Sequence, residues 1–534
     1  MSMMNPMHDN SSMSVASPES GQQKPRKTTG TFAKNSASNV ARMGMTSLIA
    51  IFLPAYLTHH LSVQTYGVWV LILQLGAYVG YLDFGVQTAV AKYIAEYEAK
   101  GDYGGCGRCA SVGLVIMLAA SILGLVLTLG LAWWVPELFR NMPATLYRDV
   151  RLSVLFVGIS LSINLAASVF SAVFLGLQRY QIPMVTGMVS KLLYAVVLCA
   201  AVFLHSSLAA MGASAAAVNL FSAVLQIVAW RKFASHVRVS LYDIDLTMVK
   251  QMVAYCAILT LWSVCMLFIS GIDITIVGHY AFKEVAFYSV ATSPTNFILM
   301  VIGAVLGPLL PATSALSTER NPQQMGNILL RTTRYATILL LLSGLPVLVG
   351  GYLLLRLWVG TTYALNSVQF LRILLLANIL RNLCGPYSTM VVATARQRVA
   401  TAAAISEGVV NLTASIWLAR HYGAMGVAMG TLLGSFAGVA MHFGVSMHYT
   451  RNLAISRMDL FVKGLLRPAV IVIPSALLLP YWWLNGAPAI SLQVWFLWAV
   501  TSLLLTWFPG MTSEDRGSLV RVVNKRMKLS SGRG

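Results

Sequence analysis

Charged residues are scarce in this 534-residue chain, at 10% of the total, against roughly 25% in soluble domains. Acidic residues are the rarer sign, with 17 against 37 basic residues and a formal net charge of +20. Hydrophobic residues reach 57%, and the mean hydropathy is +0.72. Because so much apolar surface cannot be covered by so few polar residues, lipid is the expected solvent. This composition excludes an ordinary soluble enzyme.

Paired cysteines and long connecting segments are also lacking. The six cysteines are scattered, mostly within apolar runs, which argues against a disulfide framework. Cys106 and Cys109 form a lone CxxC without a second pair, so we interpret them as part of a loop-to-helix junction rather than a zinc or redox site. The longest connection between apolar runs, Arg231 to Met248, leaves no room for a catalytic domain. The sequence predicts no cofactor and no metal site.

Long apolar runs dominate the rest of the chain, each long enough to cross a hydrocarbon core about 30 Å thick. These runs are continuous rather than alternating, which favours membrane-spanning helices over a β-barrel. The prediction is an all-α polytopic membrane protein of about fourteen transmembrane helices. They lie near 40–58, 66–92, 109–134, 151–175, 181–203, 208–229, 250–278, 285–313, 332–355, 364–392, 399–420, 424–448, 464–484 and 490–508.

Most of the basic residues fall in the two tails and in alternate connections, which predicts that both termini are cytoplasmic. The same distribution accounts for the net charge, so no nucleic-acid partner is expected. Residues 1–37 are poor in apolar periodicity and are predicted to be a disordered cytoplasmic tail. Residues 510–534 form a basic cytoplasmic tail, part of which is expected to lie on the anionic leaflet.

An internal repeat organises the predicted spans. Leu57–Trp69 aligns with Ile276–Tyr288 at an offset of 219 residues, and Gly176–Gln181 aligns with Ala393–Arg398 at an offset of 217. Two hairpins that share one period predict two parallel lobes of six helices each, related by an axis along the membrane normal. The predicted units are an N-lobe (38–230), a cytoplasmic linker (231–249), a C-lobe (250–449) and a terminal helix pair (463–509).

The N-terminal hairpin carries motifs that resemble a known family. Leu61-Ser-Val-Gln-Thr-Tyr-Gly-Val-Trp69, Tyr81-Leu-Asp-Phe-Gly-Val86 and Ala91-Lys-Tyr-Ile-Ala-Glu96 resemble the signature of bacterial polysaccharide repeat-unit flippases, and Phe282–Val290 extends the likeness. These flippases belong to the multidrug/oligosaccharidyl-lipid/polysaccharide exporter superfamily. The resemblance implies a two-lobed fold and translocation of glycans linked to undecaprenyl pyrophosphate.

Charged side chains inside membrane spans are functional candidates by default. Lys191 lies near the middle of the fifth span, where it either faces a cavity and attracts an anionic substrate or pairs with a carboxylate such as Asp83. Asp83 either binds a coupling ion or caps irregular backbone near Gly85. Asp273 is similarly open between an ion-coupling and a structural role.

A second group of charged residues lies in the second half of the chain. Arg381 and Glu407 are equally far from the turn at Thr394, which places them at the same depth and predicts a buried ion pair. Glu407 is also a hypothetical ion-coupling residue, and Arg381 a substrate-binding one. Arg396 and Arg398, with Arg42 in the first half, either bind a pyrophosphate at the inner leaflet or only follow the positive-inside rule. Arg372 is discounted because it can extend to the outer interface.

The predicted function is translocation of undecaprenyl-pyrophosphate-linked oligosaccharides across the bacterial inner membrane by alternating access of the two lobes. The product would supply O-antigen, capsule or exopolysaccharide synthesis, and no enzymatic activity is expected. Expected partners are the lipid-linked glycan, membrane lipids, and a polysaccharide polymerase with its export machinery. The alternative is an ion-coupled multidrug or cation antiporter of the same fold. A membrane-embedded glycan polymerase or acyltransferase is third, because the connections are short.

Overall fold

The structure is a computed structural model that describes residues 46–240, 244–306, 322–394, 396–450 and 455–470, with single positions at 309, 313, 472, 500, 501, 504, 516 and 517. All regular structure within these residues is helical. The predicted tail 1–37, Arg42 and most of the two terminal spans lie outside the described residues. The all-α polytopic architecture is confirmed.

Seven helices form the first half of the described chain. They are α1 (46–60), α2 (Val63–Gly80), α3 (Val86–Ala99), α4 (Tyr103–Leu138), α5 (Tyr147–Gly176), α6 (Gln181–Phe203) and α7 (Leu208–Phe233). The sequence predicted one continuous span over 66–92, but a 3-10 turn at Tyr81–Asp83 divides it into α2 and α3. Phe84 and Gly85 then take left-handed backbone angles, with φ of 50° and 76°, which interrupts the helix.

The second half begins with α8 (Leu246–Met266), which passes through a π-helical segment, Leu267–Gly271, into α9 (Asp273–Tyr280). The predicted continuous helix over 250–278 is therefore interrupted as well. The remaining helices are α10 (Val285–Leu306), α11 (Pro322–Val359), α12 (Thr361–Leu383), α13 (Gly385–Ala393), α14 (Gln397–Met441), α15 (Met447–Tyr449) and α16 (Arg457–Asp459), with π-helical segments at His442–Ser446 and Leu460–Leu466.

Helix α14 is a hairpin of two arms, because Gly423 has φ 56° and ψ −135° and reverses the chain. A Cβ built on Gly430 would lie 2.2 Å from the Ser415 hydroxyl, and one on Gly434 would lie 2.7 Å from the Asn411 Cβ. Gly426 and Gly438 are equally close to the first arm. These four glycines, spaced four residues apart, allow the two antiparallel arms to touch at backbone distance.

Ten helices among the described residues are long and apolar enough to cross a membrane. One of them, Arg398–Tyr449, contains both arms of α14, so it supplies two crossings rather than one. Helix α1 adds a shorter described helix at the first predicted span. The described residues thus account for the first twelve predicted spans.

The helix pairings of the first half recur in the second. In the first half α5 packs against α2, α4 and α7, and in the second half α12 packs against α10, α11 and α14. Counted as spans, the pairings of α5 with α2 and α4 recur six spans later as those of α12 with α10 and α11. Parallel repeats would pack in this way, and the predicted lobe boundaries stay a prediction.

Buried side chains join the two halves at one end of the bundle, here called the closed end. Its largest cluster contains Trp69 of α2, Val285 of α10 and Tyr363 of α12. The Trp358 indole also donates a 2.8 Å hydrogen bond to the carbonyl of Ile51, joining α11 to α1. At the opposite end, here called the open end, the buried residues form two separate clusters. One holds α3, α4, α5 and the start of α8, and the other holds α11, α13, α14 and α15.

Candidate functional site

Lys191 lies where the two halves of the chain approach each other. Its ammonium group donates a 3.3 Å hydrogen bond to the hydroxyl of Thr46 in α1. The neighbouring Ser47 hydroxyl contacts the sulfur of Met300 in α10 at 3.4 Å. Helices α6, α1 and α10 therefore meet around this cation, and its side chain is exposed there. The sequence left open whether Lys191 faces a cavity or pairs with Asp83. The ion pairs among the described residues do not include one between Lys191 and Asp83.

Asp83 occupies the break between α2 and α3. Its Oδ1 accepts a 3.4 Å hydrogen bond from the backbone amide of Gln87, in the first turn of α3. Leu259 of α8 approaches to 2.5 Å from a Cβ built on Gly85, so only glycine fits that left-handed position. The prediction of irregular backbone near Gly85 is confirmed, and the contact favours the capping role of Asp83.

Arg381 and Glu407 form the predicted ion pair. The Arg381 Nε donates to Glu407 Oε1, and the two side chains are 20% and 10% exposed. Arg381 Nη1 also donates to the Asn378 side chain at 3.1 Å, whereas Nη2 is buried without a hydrogen-bond partner among the described residues. The pairing is confirmed, and it brings α12 against the first arm of α14.

Asp273 lies at the start of α9 in the interior of the second half, where it is 6% exposed. Its Oδ2 accepts a 3.2 Å hydrogen bond from the Thr431 hydroxyl in the second arm of α14. Its Oδ1 has no hydrogen-bond partner among the described residues, and neither does the Tyr288 hydroxyl beside it. The positive charge of Arg381 also acts on this carboxylate. A buried carboxylate with an unsatisfied oxygen favours uptake of a proton or a cation.

Asn411 connects this carboxylate to the irregular backbone before α9. Its amide donates to the carbonyls of Phe268 and Ile269 in the π-helical segment, at 3.0 and 2.7 Å. Its side-chain oxygen accepts a hydrogen bond from Ser415 at 3.0 Å. The result is a polar cluster of oxygen-bearing side chains around one carboxylate within the membrane-spanning region.

The remaining predicted cations lie away from this cluster. Arg396 donates a 2.9 Å hydrogen bond to the carbonyl of Tyr449 and so caps the end of α15. Arg398, the second residue of α14, is exposed. Arg372 donates to the carbonyl of Leu348. Arg42 is outside the described residues.

Tyr288, Asn411 and Thr431 were missed by the sequence prediction. They are uncharged, so a search for charged residues in spans passes over them. Their proximity could have been found from the hairpin geometry of α14. Because the chain reverses at Gly423, Asn411 lies opposite Gly434, and Thr431 is within one helical turn of that level.

Comparison with solved structures supports the fold. The lipid II flippase MurJ in an inward closed conformation aligns with a TM-score of 0.65 and 12% identity, over 89% of this chain and 97% of that chain. An inward-facing multidrug resistance MATE family transporter of the MOP superfamily aligns with a TM-score of 0.61 and 16% identity, over 78% and 99%. A MOP superfamily transporter from Pyrococcus furiosus aligns with a TM-score of 0.56 and 17% identity, over 80% and 96%.

Comparison of sequences identifies the family. A Shigella flexneri protein named as an O-antigen transporter is 22% identical over 405 residues, which cover 74% of this chain and 93% of that protein. The names of these relatives are those of transporters and flippases. The model of the family described as "Polysaccharide biosynthesis protein" matches residues 32–317, more than half of the chain. The chain therefore belongs to the polysaccharide biosynthesis protein family.

Proposed function

We propose that this chain translocates oligosaccharide units linked to undecaprenyl pyrophosphate from the cytoplasmic to the periplasmic leaflet of the bacterial inner membrane. The family and the O-antigen transporter of Shigella flexneri support a glycan-related cargo. In this proposal the two lobes rock against each other so that the open end and the closed end part in turn, and both chain termini are cytoplasmic. The translocated glycan is passed to a polysaccharide polymerase and its export machinery.

The physical need for a protein pathway follows from the cargo. Each unsatisfied sugar hydroxyl costs several kcal/mol in hydrocarbon, and each pyrophosphate charge costs more. A polar cleft between two lobes removes most of this barrier, while the isoprenoid chain stays in lipid.

Lys191 is the observation that carries the proposal. Charged side chains within membrane spans commonly mark substrate pathways. The Lys191 ammonium donates to Thr46, and the adjacent Ser47 contacts Met300 of α10, which supports a position of this cation near both halves of the chain. We assign it to attract the pyrophosphate or an acidic sugar, while Arg42, Arg396 and Arg398 are assigned to the inner-leaflet entrance.

Glycan export in a host that lacks its own flippase tests this role. A lost charge-assisted hydrogen bond is worth about 1.5–3 kcal/mol, so Lys191→Ala should lower surface glycan about tenfold or more, since each 1.4 kcal/mol is tenfold. Lys191→Arg should retain most export. Lys232→Ala, an exposed lysine at the end of α7, is the matched control and should export normally.

Two outcomes would contradict the proposal. Normal export by Lys191→Ala at normal abundance would remove the assigned role of this cation. A wild-type chain that restores no glycan but lowers susceptibility to cationic drugs would favour the antiporter alternative.

We further propose that Asp273 is the ion-coupling residue and that Arg381 and Glu407 hold the surrounding helices in place. The Asp273 carboxylate supplies one negative charge, and the Tyr288 hydroxyl, the Thr431 hydroxyl and the Asn411 side-chain oxygen offer neutral oxygen ligands beside it. Such a site suits a proton or a monovalent cation. Asp83, whose carboxylate caps α3, is the weaker candidate for this role.

Tryptophan fluorescence of the purified protein, titrated with NaCl and separately with acid, tests the ion site. The wild-type signal should respond to one of the two titrations, and the isosteric Asp273→Asn variant should respond to neither. A response to NaCl assigns a sodium ion, and a response to acid alone assigns a proton. A variant that responds as the wild type does would contradict the assignment.

A further inference from the structure

One face of α3 is polar, and so is the turn that precedes it. Gln87, Thr88 and Lys92 lie on one side of the helix, because Lys92 is four residues after Thr88 and Gln87 is adjacent to Thr88. Asp83 lies in the turn just before α3. Thr88 and Lys92 are exposed, and Asp83 and Gln87 are half-buried. The opposite side carries Val86, Ala89, Val90 and Ile94, which are fully buried against α4 and α5.

This polar face lies towards the second half of the chain. The Lys92 ammonium stands 4.6 Å from the ring centre of Tyr255 in α8, and the Tyr93 and Tyr255 rings meet edge to face. Because polar side chains that face lipid are costly, a polar stripe beside a neighbouring helix lines a water-filled space. Along α3 the stripe from residue 87 to residue 95 spans about 12 Å towards the open end.

A cavity of about 540 Å³ lies against this stripe. Its other wall is formed by the turn between α5 and α6, which supplies Gln178 and Tyr180. Gln178 takes a left-handed φ of 56° within this turn. The volume falls within the range of about 300–1,000 Å³ that small-ligand sites occupy.

The chemistry of the wall indicates what the cavity would take. Asp83 accepts hydrogen bonds, Thr88 donates and accepts, and the amides of Gln87 and Gln178 do both. Tyr180 adds an aromatic body with a polar tip. Lys92 is balanced by Glu96 at 3.8 Å, so the wall is polar without strong net charge. Neighbouring hydroxyl groups on a ring match such a wall, whereas an anionic headgroup would require unbalanced cations.

We propose that this cavity is a carbohydrate subsite, which binds a sugar ring of the glycan while the transporter is open at this end. The inference rests on the proposed function and adds to it the place where the sugar is held. The pyrophosphate would be held separately, at Lys191.

Protection of an introduced cysteine tests the subsite. Thr88→Cys and the matched control Ala99→Cys, an exposed position at the end of the same helix, are made in a background without the six native cysteines. Inner-membrane vesicles of both orientations are labelled with a membrane-impermeant maleimide. They come from cells that make the glycan and from cells that lack the enzyme adding its first sugar to the lipid carrier.

Labelling of Thr88→Cys should slow several-fold in the vesicles that contain the glycan, whereas Ala99→Cys should label equally in both. Equal labelling of Thr88→Cys in both, with glycan export intact, would overturn the subsite and leave the flippase function standing. Failure of the wild-type chain to export any glycan would overturn the proposed function instead.

A second variant tests the subsite if the chain without its six native cysteines does not fold. In the otherwise native chain, Gln87→Leu keeps the side-chain size and removes the amide, so export should fall several-fold at normal abundance. Gln251→Leu, exposed on α8 and outside the cavity, should export normally. Equal export by the two variants would contradict the subsite.

Discussion

A cross-link at the closed end should stop translocation reversibly. A Cβ built on Gly67 of α2 lies 3.5 Å from the Cβ of Ala286 in α10. Disulfides join Cβ atoms about 3.5–4.5 Å apart. Gly67→Cys with Ala286→Cys should therefore form a disulfide under mild oxidation. The nearest other atoms to the new Cβ, at 3.4 and 3.7 Å, are ordinary contacts, so the cysteines themselves should be tolerated.

The expected loss of export follows from the proposed transport cycle. Because the closed end must part for cargo to leave there, each cross-linked molecule is inactive, and export should fall in proportion to the cross-linked fraction. The assay counts free thiols by a maleimide mass shift in a cysteine-free background and measures glycan export in the same cells. Reduction should restore both.

Helices α2 and α10 also offer a control pair of cysteine positions at the open end. Gly80 of α2 and Gly303 of α10 have nothing within 4 Å of a built Cβ, so cysteines there should stay unlinked while the closed end is joined. Full cross-linking at Gly67 and Ala286 with unchanged export would refute the rocking mechanism. An absence of cross-linking under oxidation would refute the packing of α2 against α10.

Three further perturbations test the interior of the second half. Glu407→Gln leaves Arg381 charged and unpaired, so the unfolding free energy measured by dodecyl sulfate titration should fall by about 3–5 kcal/mol. The double variant with Arg381→Met should recover most of this loss. Additive losses in the two single variants and the double variant would contradict the pairing. Gly430→Ala crowds the facing arm and should cost about 1–3 kcal/mol, whereas Gly444→Ala meets open space and should stay within about 0.5 kcal/mol. Thr431→Val removes the hydroxyl that binds the α9 carboxylate, so the ion titration midpoint should shift, and an unchanged midpoint would exclude that hydroxyl as a ligand.

The sequence predicted well how far along a span a charged residue lies, but it predicted poorly which face of the helix carries that residue. Arg381 and Glu407 were paired correctly because a short turn between antiparallel helices determines which residues share a level in the membrane. Lys191 was placed at mid-span for the same reason. Which side of α6 it occupies depends on contacts with α1 and α10, and those depend on lobe packing that hydropathy does not encode.

A hydropathy pattern could not predict the two helix breaks. The apolar runs continue through Tyr81–Gly85 and through Leu267–Gly271, so periodicity predicts unbroken helices at both places. The first break depends on left-handed backbone angles at Phe84 and Gly85. The second is stabilised by Asn411, more than a hundred residues later in the chain, which binds the carbonyls that it exposes.

The crossing formed by α8 and α9 is divided between the two halves of the molecule. Met252 and Cys256 of α8 are buried with the first half at the open end, while Asp273 of α9 is held by the second half. If the halves rotate against each other, this crossing must either bend at Leu267–Gly271 or detach α8 from α3. In the first case the π-helical segment would be the pivot, and because Asn411 contacts both this segment and the carboxylate cluster, ion occupancy and bending would involve the same side chain.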